Sequence, residues 1–260
     1  MDFETIPDAA AIVADLDRQG FVLVENVLAR DAAAAVRRTL WDTAEALERR
    51  GVSTHTAIID RNAANVRVYD LPDHDPAFVD LLTDPAVLGT VNAALAGDVL
   101  ISNFTANIAR PGALSMRIHS DMALVIPAPW HERWALNVIW CLDDVHDANG
   151  ATRYLPGSHR FTSQAEVPAD AEARTLAFAA PAGSMIVMDG RLWHTSGCNV
   201  TADEDRAMLF AYYTRSFIRP QANWYEVLRP EVIARLSDEQ RRLFGFGALA
   251  NVSGSGLVLL

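Results

Sequence analysis

The chain is poor in cysteine, with only Cys141 and Cys198 among 260 residues. The pair has no zinc spacing and builds no disulfide framework, which fits a reducing interior better than secretion. The opening Met1-Asp2-Phe3-Glu4 lacks the apolar stretch of a signal peptide. No apolar run reaches the roughly 20 residues needed to cross a bilayer. A cytoplasmic location without a membrane partner is therefore expected. Basic clusters are missing too. The formal charge is −11, from 22 basic and 33 acidic residues, which argues against nucleic acid or an anionic membrane as the main partner. There is no internal repeat, no low-complexity segment and no linker long enough to divide the chain. One domain spanning 1–260 is expected.

Half of the residues are hydrophobic and 21% are charged, so a large core can be built. The N-terminal third, about 1–97, reads as helical support. Residues 8–19 carry Ile12, Val13 and Leu16 on one face and stop at Gly20. Phe21–Val24 reads as a buried strand. Asp31 is placed to cap a long helix that ends near Arg50, with Val36, Leu40, Ala44 and Leu47 as its stripe. Residues 51–75 are irregular, apart from a short strand at 65–69. Asp75-Pro76 and Asp84-Pro85 are two successive helix starts, each a cap followed by proline at the first helical position. The second of these is expected to end at Gly97.

From about 98 to 218 the period changes to two. Strands are expected at Val99–Ile108, Ser115–His119, Trp134–Leu142, Thr152–Leu155, Ser184–Met188 and Arg206–Thr214. Turns rich in Gly, Pro, Asp and Asn separate them, a pattern of sandwiches and jelly rolls. About 219–260 reads as a C-terminal helical segment. Pro230 opens one helix, and Ser237-Asp238-Glu239-Gln240 is a capping box opening another. The glycine-rich stretch 245–256 is expected to pack loosely. Oligomeric state stays open, because the segment after Trp224 can pack on a second copy as well as on its own barrel.

His119-Ser120-Asp121 carries the chemistry. On an extended chain, residues two apart face the same side, so one imidazole and one carboxylate can reach a common metal. His194, 75 positions later, would complete a face of two histidines and one carboxylate. That set suits non-haem Fe(II) and leaves three positions open. Arg206 lies within Ala-Met-Leu-Phe-Ala-Tyr-Tyr, an apolar strand that would not bury an arginine without an anion.

Four stretches resemble the phytanoyl-CoA dioxygenase-like family of Fe(II)/2-oxoglutarate oxygenases. They are Arg117–Asp121; Asn149–His159, which reads Asn-Gly-Ala-Thr-Arg-Tyr-Leu-Pro-Gly-Ser-His; Gly183–Asp189 leading into Trp193-His194; and Ser196 with Asn199 and Arg206. The resemblance implies an α+β fold: a double-stranded β-helix, the cupin-like jelly roll, flanked by N-terminal and C-terminal helices. It implies Fe(II) on His119, Asp121 and His194, with 2-oxoglutarate and O2 as co-substrates. Arg206 would grip the distal carboxylate of 2-oxoglutarate in a two-pronged pair. Thr152 and Ser196 would give it hydroxyl hydrogen bonds. Asn137 would touch its C1 carboxylate, and Arg67 would make a polar contact to co-substrate or substrate. The implied reaction is hydroxylation of an unactivated C–H bond in a small molecule, with a secondary-metabolite intermediate as the leading substrate class. The carboxylate at 121 favours hydroxylation over halogenation, since related halogenases carry a small residue there. Desaturation, epoxidation and ring chemistry use the same ligands. The competing readings are a cupin-like metalloprotein that ignores 2-oxoglutarate and a non-catalytic binding protein. His159 reads as structural. Met116, Met122 and Trp224 are candidates for the pocket wall, together with Trp130, Trp134, Trp193, Tyr213 and Phe217.

Overall fold

The computed structural model describes Ile6 and residues 8–247. The chain runs α1 (Ala9–Gln19), β1 (Phe21–Val24), α2 (Arg30–Arg49), β2 (Asn65–Val68), α3 (Leu71–His74), α4 (Pro76–Thr83) and α5 (Pro85–Leu95). The barrel follows: β3 (Val99–Ala109), β4 (Ala135–Cys141), β5 (Thr152–Tyr154), β6 (Leu176–Ala177), β7 (Met185–Asp189), β8 (His194–Ser196) and β9 (Arg206–Arg215). Three short helices close it: α6 (Trp224–Val227), α7 (Pro230–Ile233) and α8 (Asp238–Leu243).

The strands form two antiparallel sheets. The larger has the order β1-β7-β4-β9-β3-β2, and the smaller has the order β6-β5-β8. From β4 onward the chain passes back and forth between them, with β4, β7 and β9 in the large sheet and β5, β6 and β8 in the small one. This alternation is the winding of a jelly roll, and it is the fold expected from the sequence.

Period-two alternation sorts the side chains. On β4, Leu136, Val138 and Trp140 face the helices, as do Ala207, Leu209, Ala211 and Tyr213 on β9. These residues and the apolar faces of the helices make the outer core. The opposite faces turn between the sheets. Toward one end they are apolar, with Ile139, Cys141, Ile186 and Met208 packed together. At the other end the same faces carry Asn137 on β4 and Tyr212 on β9, and the barrel opens there.

Several local expectations are met. The Asp75 carboxylate accepts from Ala77 N–H, and the Asp84 carboxylate accepts from Ala86 and Val87 N–H. Ser237 and Gln240 form the reciprocal capping box. Others need correction. The long helix starts at Arg30, one residue before Asp31, whose carboxylate accepts only from Ala32 N–H. Residues 115–118 form no strand, and only His119 pairs. The helix α3 and the strands β6 and β8 are too short to leave a periodic signal. Of the glycine-rich stretch, 248–256 lies outside the described residues.

Among the described residues no single helix is long and apolar enough to cross a membrane. The pair α4 and α5 meets that test only jointly, across a 47° bend, and its apolar side chains sit in the outer core.

Candidate metal centre

The site begins with a backbone bridge. His119 N–H donates to the His194 carbonyl (2.9 Å), and His194 N–H donates to the His119 carbonyl (2.8 Å). The two histidines are thus direct antiparallel partners, and their rings lie 4.3 Å apart. Ser120 is extended (φ −117°, ψ 139°). Its side chain therefore points away, donating to the Gly190 carbonyl at 2.8 Å, while His119 and Asp121 share the other side. The strand is a single bridge long, yet the alternation argument holds over these three residues.

Nδ1 of His119 donates to the Arg117 carbonyl (3.0 Å), and Nδ1 of His194 donates to the Leu192 carbonyl (2.9 Å). A carbonyl only accepts, so each Nε2 keeps its lone pair for a metal. Both Nε2 atoms lie 3.9 Å from Asp121 Oδ1, and the three donor atoms fall within 4.8 Å of one another. Burial, followed by the neighbouring His194, pushes the His119 imidazole well below its usual pKa, which keeps it neutral. Two imidazole nitrogens and one carboxylate oxygen suit Fe(II).

Arg206 is fully buried on the inner face of β9. Its Nη1 donates to the Asn107 carbonyl (3.3 Å) and its Nη2 to the Gly150 carbonyl (2.7 Å). Nε is buried without a partner. Among the described residues no carboxylate forms an ion pair with it. Burial, then the charge of Arg67, lowers its pKa to about 10. This desolvated guanidinium, with an unpartnered Nε, lines the same cleft as the metal donors.

Thr152 and Ser196 are cross-strand partners between β5 and β8, and both line the same cleft. Ser196 Oγ accepts from Met116 N–H (3.0 Å), which leaves its own proton free to donate. Arg67 also lines the cleft, but its Nε and Nη2 bind both oxygens of the buried Asp60, at 2.7 and 2.9 Å.

The family model of "Phytanoyl-CoA dioxygenase (PhyH)" matches residues 16–208. The chain belongs to this family. The protein "Dioxygenase af480" of Aspergillus fumigatus is 46% identical over 239 residues, covering 92% of this chain and 77% of that protein. Among solved structures, the 2-oxoglutarate-dependent carbocyclase SnoK from nogalamycin biosynthesis aligns with a TM-score of 0.66 at 20% identity, covering 90% of this chain and 94% of that one. HygX from Streptomyces hygroscopicus, solved with nickel, 2-oxoglutarate and hygromycin B, aligns with a TM-score of 0.65 at 16% identity, covering 81% and 88%. This PhyH protein is an iron- and 2-oxoglutarate-dependent dioxygenase.

In this PhyH chain Asn137 lines the same cleft as the three metal donors. Its Nδ2 donates to Asp121 Oδ2 at 3.0 Å, and its Oδ1 is buried without a partner. The expectation had the amide touching a co-substrate carboxylate. The contact the structure shows is the one to Asp121, where Asn137 and the start of the Asp121 turn meet on the inner face of β4.

Several wall candidates fall elsewhere. Trp224 is in the outer core, with Nε1 bonded to the Ile101 carbonyl. Met122 and Trp193 are buried in a small cluster beside the site. Tyr213 faces outward, and its neighbour Tyr212 faces the cleft, donating its hydroxyl to the Asp121 carbonyl at 3.2 Å. Met116 does line the cleft. So do Asn103, Thr105 and Asn107, which sequence reasoning missed. Their signal was present as Asn-x-Thr-x-Asn, polar residues at period two inside an otherwise apolar strand.

Proposed function

We propose that His119, Asp121 and His194 hold Fe(II), that Arg206 holds the distal carboxylate of 2-oxoglutarate, and that the protein hydroxylates an unactivated C–H bond of a small molecule. The observation that carries this reading is the pairing of a three-donor face with a buried arginine that lacks a counter-charge in the same cleft. When bound, Fe(II) and 2-oxoglutarate supply O2-dependent oxidation, with succinate and CO2 released.

The chain's own residues do the rest. The Nδ1 bonds of both histidines fix ring orientation. Asn137 occupies one oxygen of Asp121, so the carboxylate offers the other to the metal. Arg206 orients the co-substrate through its far end, and the Thr152 and Ser196 hydroxyls give it hydrogen bonds. A secondary-metabolite intermediate is the proposed substrate class. HygX, solved with hygromycin B, and SnoK, from nogalamycin biosynthesis, are in keeping with it at the level of fold.

The test is succinate formation from 2-oxoglutarate by anaerobically Fe(II)-loaded protein after O2 is admitted. Wild type should turn over slowly without substrate. His119→Ala should not, and Arg206→Ala should do so only at high 2-oxoglutarate. Absence of both turnover and the visible absorption band of iron-bound 2-oxoglutarate would sink the reading.

A further inference from the structure

On β3, Asn103 and Thr105 turn to the cleft, while Phe104 and Ala106 turn to the outer core. Asn103 Nδ2 donates to Gln221 Oε1. Gln221 is held against the strand by Ser102, whose hydroxyl accepts from Gln221 N–H at 3.0 Å and whose carbonyl accepts from Ala222 N–H at 2.9 Å. The result is a fixed wall of two carboxamides and a hydroxyl running outward from the Arg206 end. Facing it across the β3–β9 ladder are Phe210, opposite Thr105, and Tyr212, opposite Asn103. None of these side chains is among those assigned above to metal or co-substrate.

The formal charges in the cleft are Asp121, Arg206 and Arg67. Asp121 faces the metal. Arg206 faces the co-substrate. Arg67 is neutralised by two bonds to Asp60, whose side chain is 1% exposed. Once metal and co-substrate are in place, the charges cancel. An ammonium group entering the cleft would find no free carboxylate, and an anion would find no unpaired cation. Either ion would lose its hydration without compensation. A purely apolar molecule would instead bury the Thr105 hydroxyl and the amide groups not used in the Asn103–Gln221 bond without partners.

We infer that Asn103, Thr105 and Gln221 form the substrate-binding wall, and that the substrate is an uncharged molecule presenting hydroxyl or carbonyl oxygens to it. The inference rests on the cofactor reading above and adds the chemical class of the substrate.

The test uses protein loaded with Zn(II) and 2-oxoglutarate and three probes on one ring: cyclohexylmethanol, cyclohexanecarboxylate and cyclohexylmethylammonium. Binding is read by ligand-detected NMR titration, with 2-oxoglutarate affinity measured in parallel. The alcohol should bind, and each ion should bind about tenfold more weakly or worse. In Thr105→Val, which preserves shape, and in Asn103→Leu, the ratio of alcohol Kd to 2-oxoglutarate Kd should rise about tenfold per lost hydrogen bond. The inference is overturned if either ion binds as tightly as the alcohol, if both variants keep the wild-type ratio, or if no probe binds while 2-oxoglutarate does. Failure to bind 2-oxoglutarate itself removes the cofactor reading, and this inference with it.

Discussion

His119 and His194 exchange both of their backbone hydrogen bonds and stand with their rings 4.3 Å apart. The separation of the two imidazole donors is therefore set by strand pairing, not by side-chain choice. The 74 residues between them fold as four strands and their connections, so the distance in sequence says nothing about the distance in space. Because the bridge is made by backbone, it survives loss of either ring. His119→Ala and His194→Ala should keep the wild-type far-ultraviolet circular dichroism. Each should lose at least about 100-fold in Co(II) affinity, beyond the usual cost of an outer partner. Loss of the fold in both variants would show that the rings, not the bridge, hold these segments together.

Asn137 offers a test that separates two roles. If its bond to Asp121 Oδ2 positions the carboxylate, Asn137→Ala should weaken metal binding about 10–100-fold, and the KM for 2-oxoglutarate at saturating metal should change little. Asn137→Asp should be worse, since it sets a second negative charge 3.0 Å from the first if the geometry holds. If the amide serves the C1 carboxylate of the co-substrate instead, the pattern reverses, with KM raised and metal affinity kept. Metal titration and initial rates on the same preparations decide between them.

Arg206 is buried, charged and without a carboxylate, which makes it expensive in the empty protein. Arg206→Met keeps the volume and removes the charge. Its Tm without ligands should equal or exceed that of wild type. Its 2-oxoglutarate binding should fall by about 2–5 kcal/mol, the cost of truncating a buried hydrogen-bonded charge pair. Arg206→Lys should recover little of this, because an ammonium cannot reproduce the planar two-pronged contact. A large drop in Tm for Arg206→Met would mean that the bonds to the Asn107 and Gly150 carbonyls matter more than the missing anion.

Much of the fold was legible because long strands and capped helices leave local signals. The aspartate–proline starts at 75–76 and 84–85 and the Ser237–Gln240 box were visible in the sequence and are formed. The two histidines and Asp121 were legible from their surroundings, although the strand reasoning was right only across Ser120. Asn137 was found, but its partner was not, because the Asp121 turn approaches β4 only after the barrel closes. Tyr212 was passed over in favour of Tyr213. Adjacent aromatics on a strand face opposite sides, and nothing local says which side is the cleft. Trp224 was placed over the mouth for want of any signal that its indole bonds to the Ile101 carbonyl.

Gly190 joins the two ligand segments. Its carbonyl accepts from both Ser120 Oγ and Met122 N–H, each at 2.8 Å, so it pins the His119–Asp121 stretch from behind. Its N–H donates to the Ala135 carbonyl at 2.9 Å. The preceding Asp189, fully buried, is gripped by Arg133 and Arg191, which fixes the turn that leads into His194. A Cβ at Gly190 would sit 2.9 Å from Ala135 Cβ and 3.0 Å from Met122 Cγ, so the turn or β4 must shift. Gly190→Ala should therefore cost about 1–3 kcal/mol of stability from overpacking and should also weaken metal binding. Gly157→Ala is the control. Its φ is +78° and nothing lies within 4 Å of an added Cβ, so it should lose about 1–2 kcal/mol from backbone strain alone and keep its metal affinity. Chemical denaturation and metal titration of the two variants give four numbers. Equal stability losses with a metal defect confined to Gly190→Ala would show that the turn positions the ligands. A metal defect of the same size in both would show that lowered stability alone accounts for it.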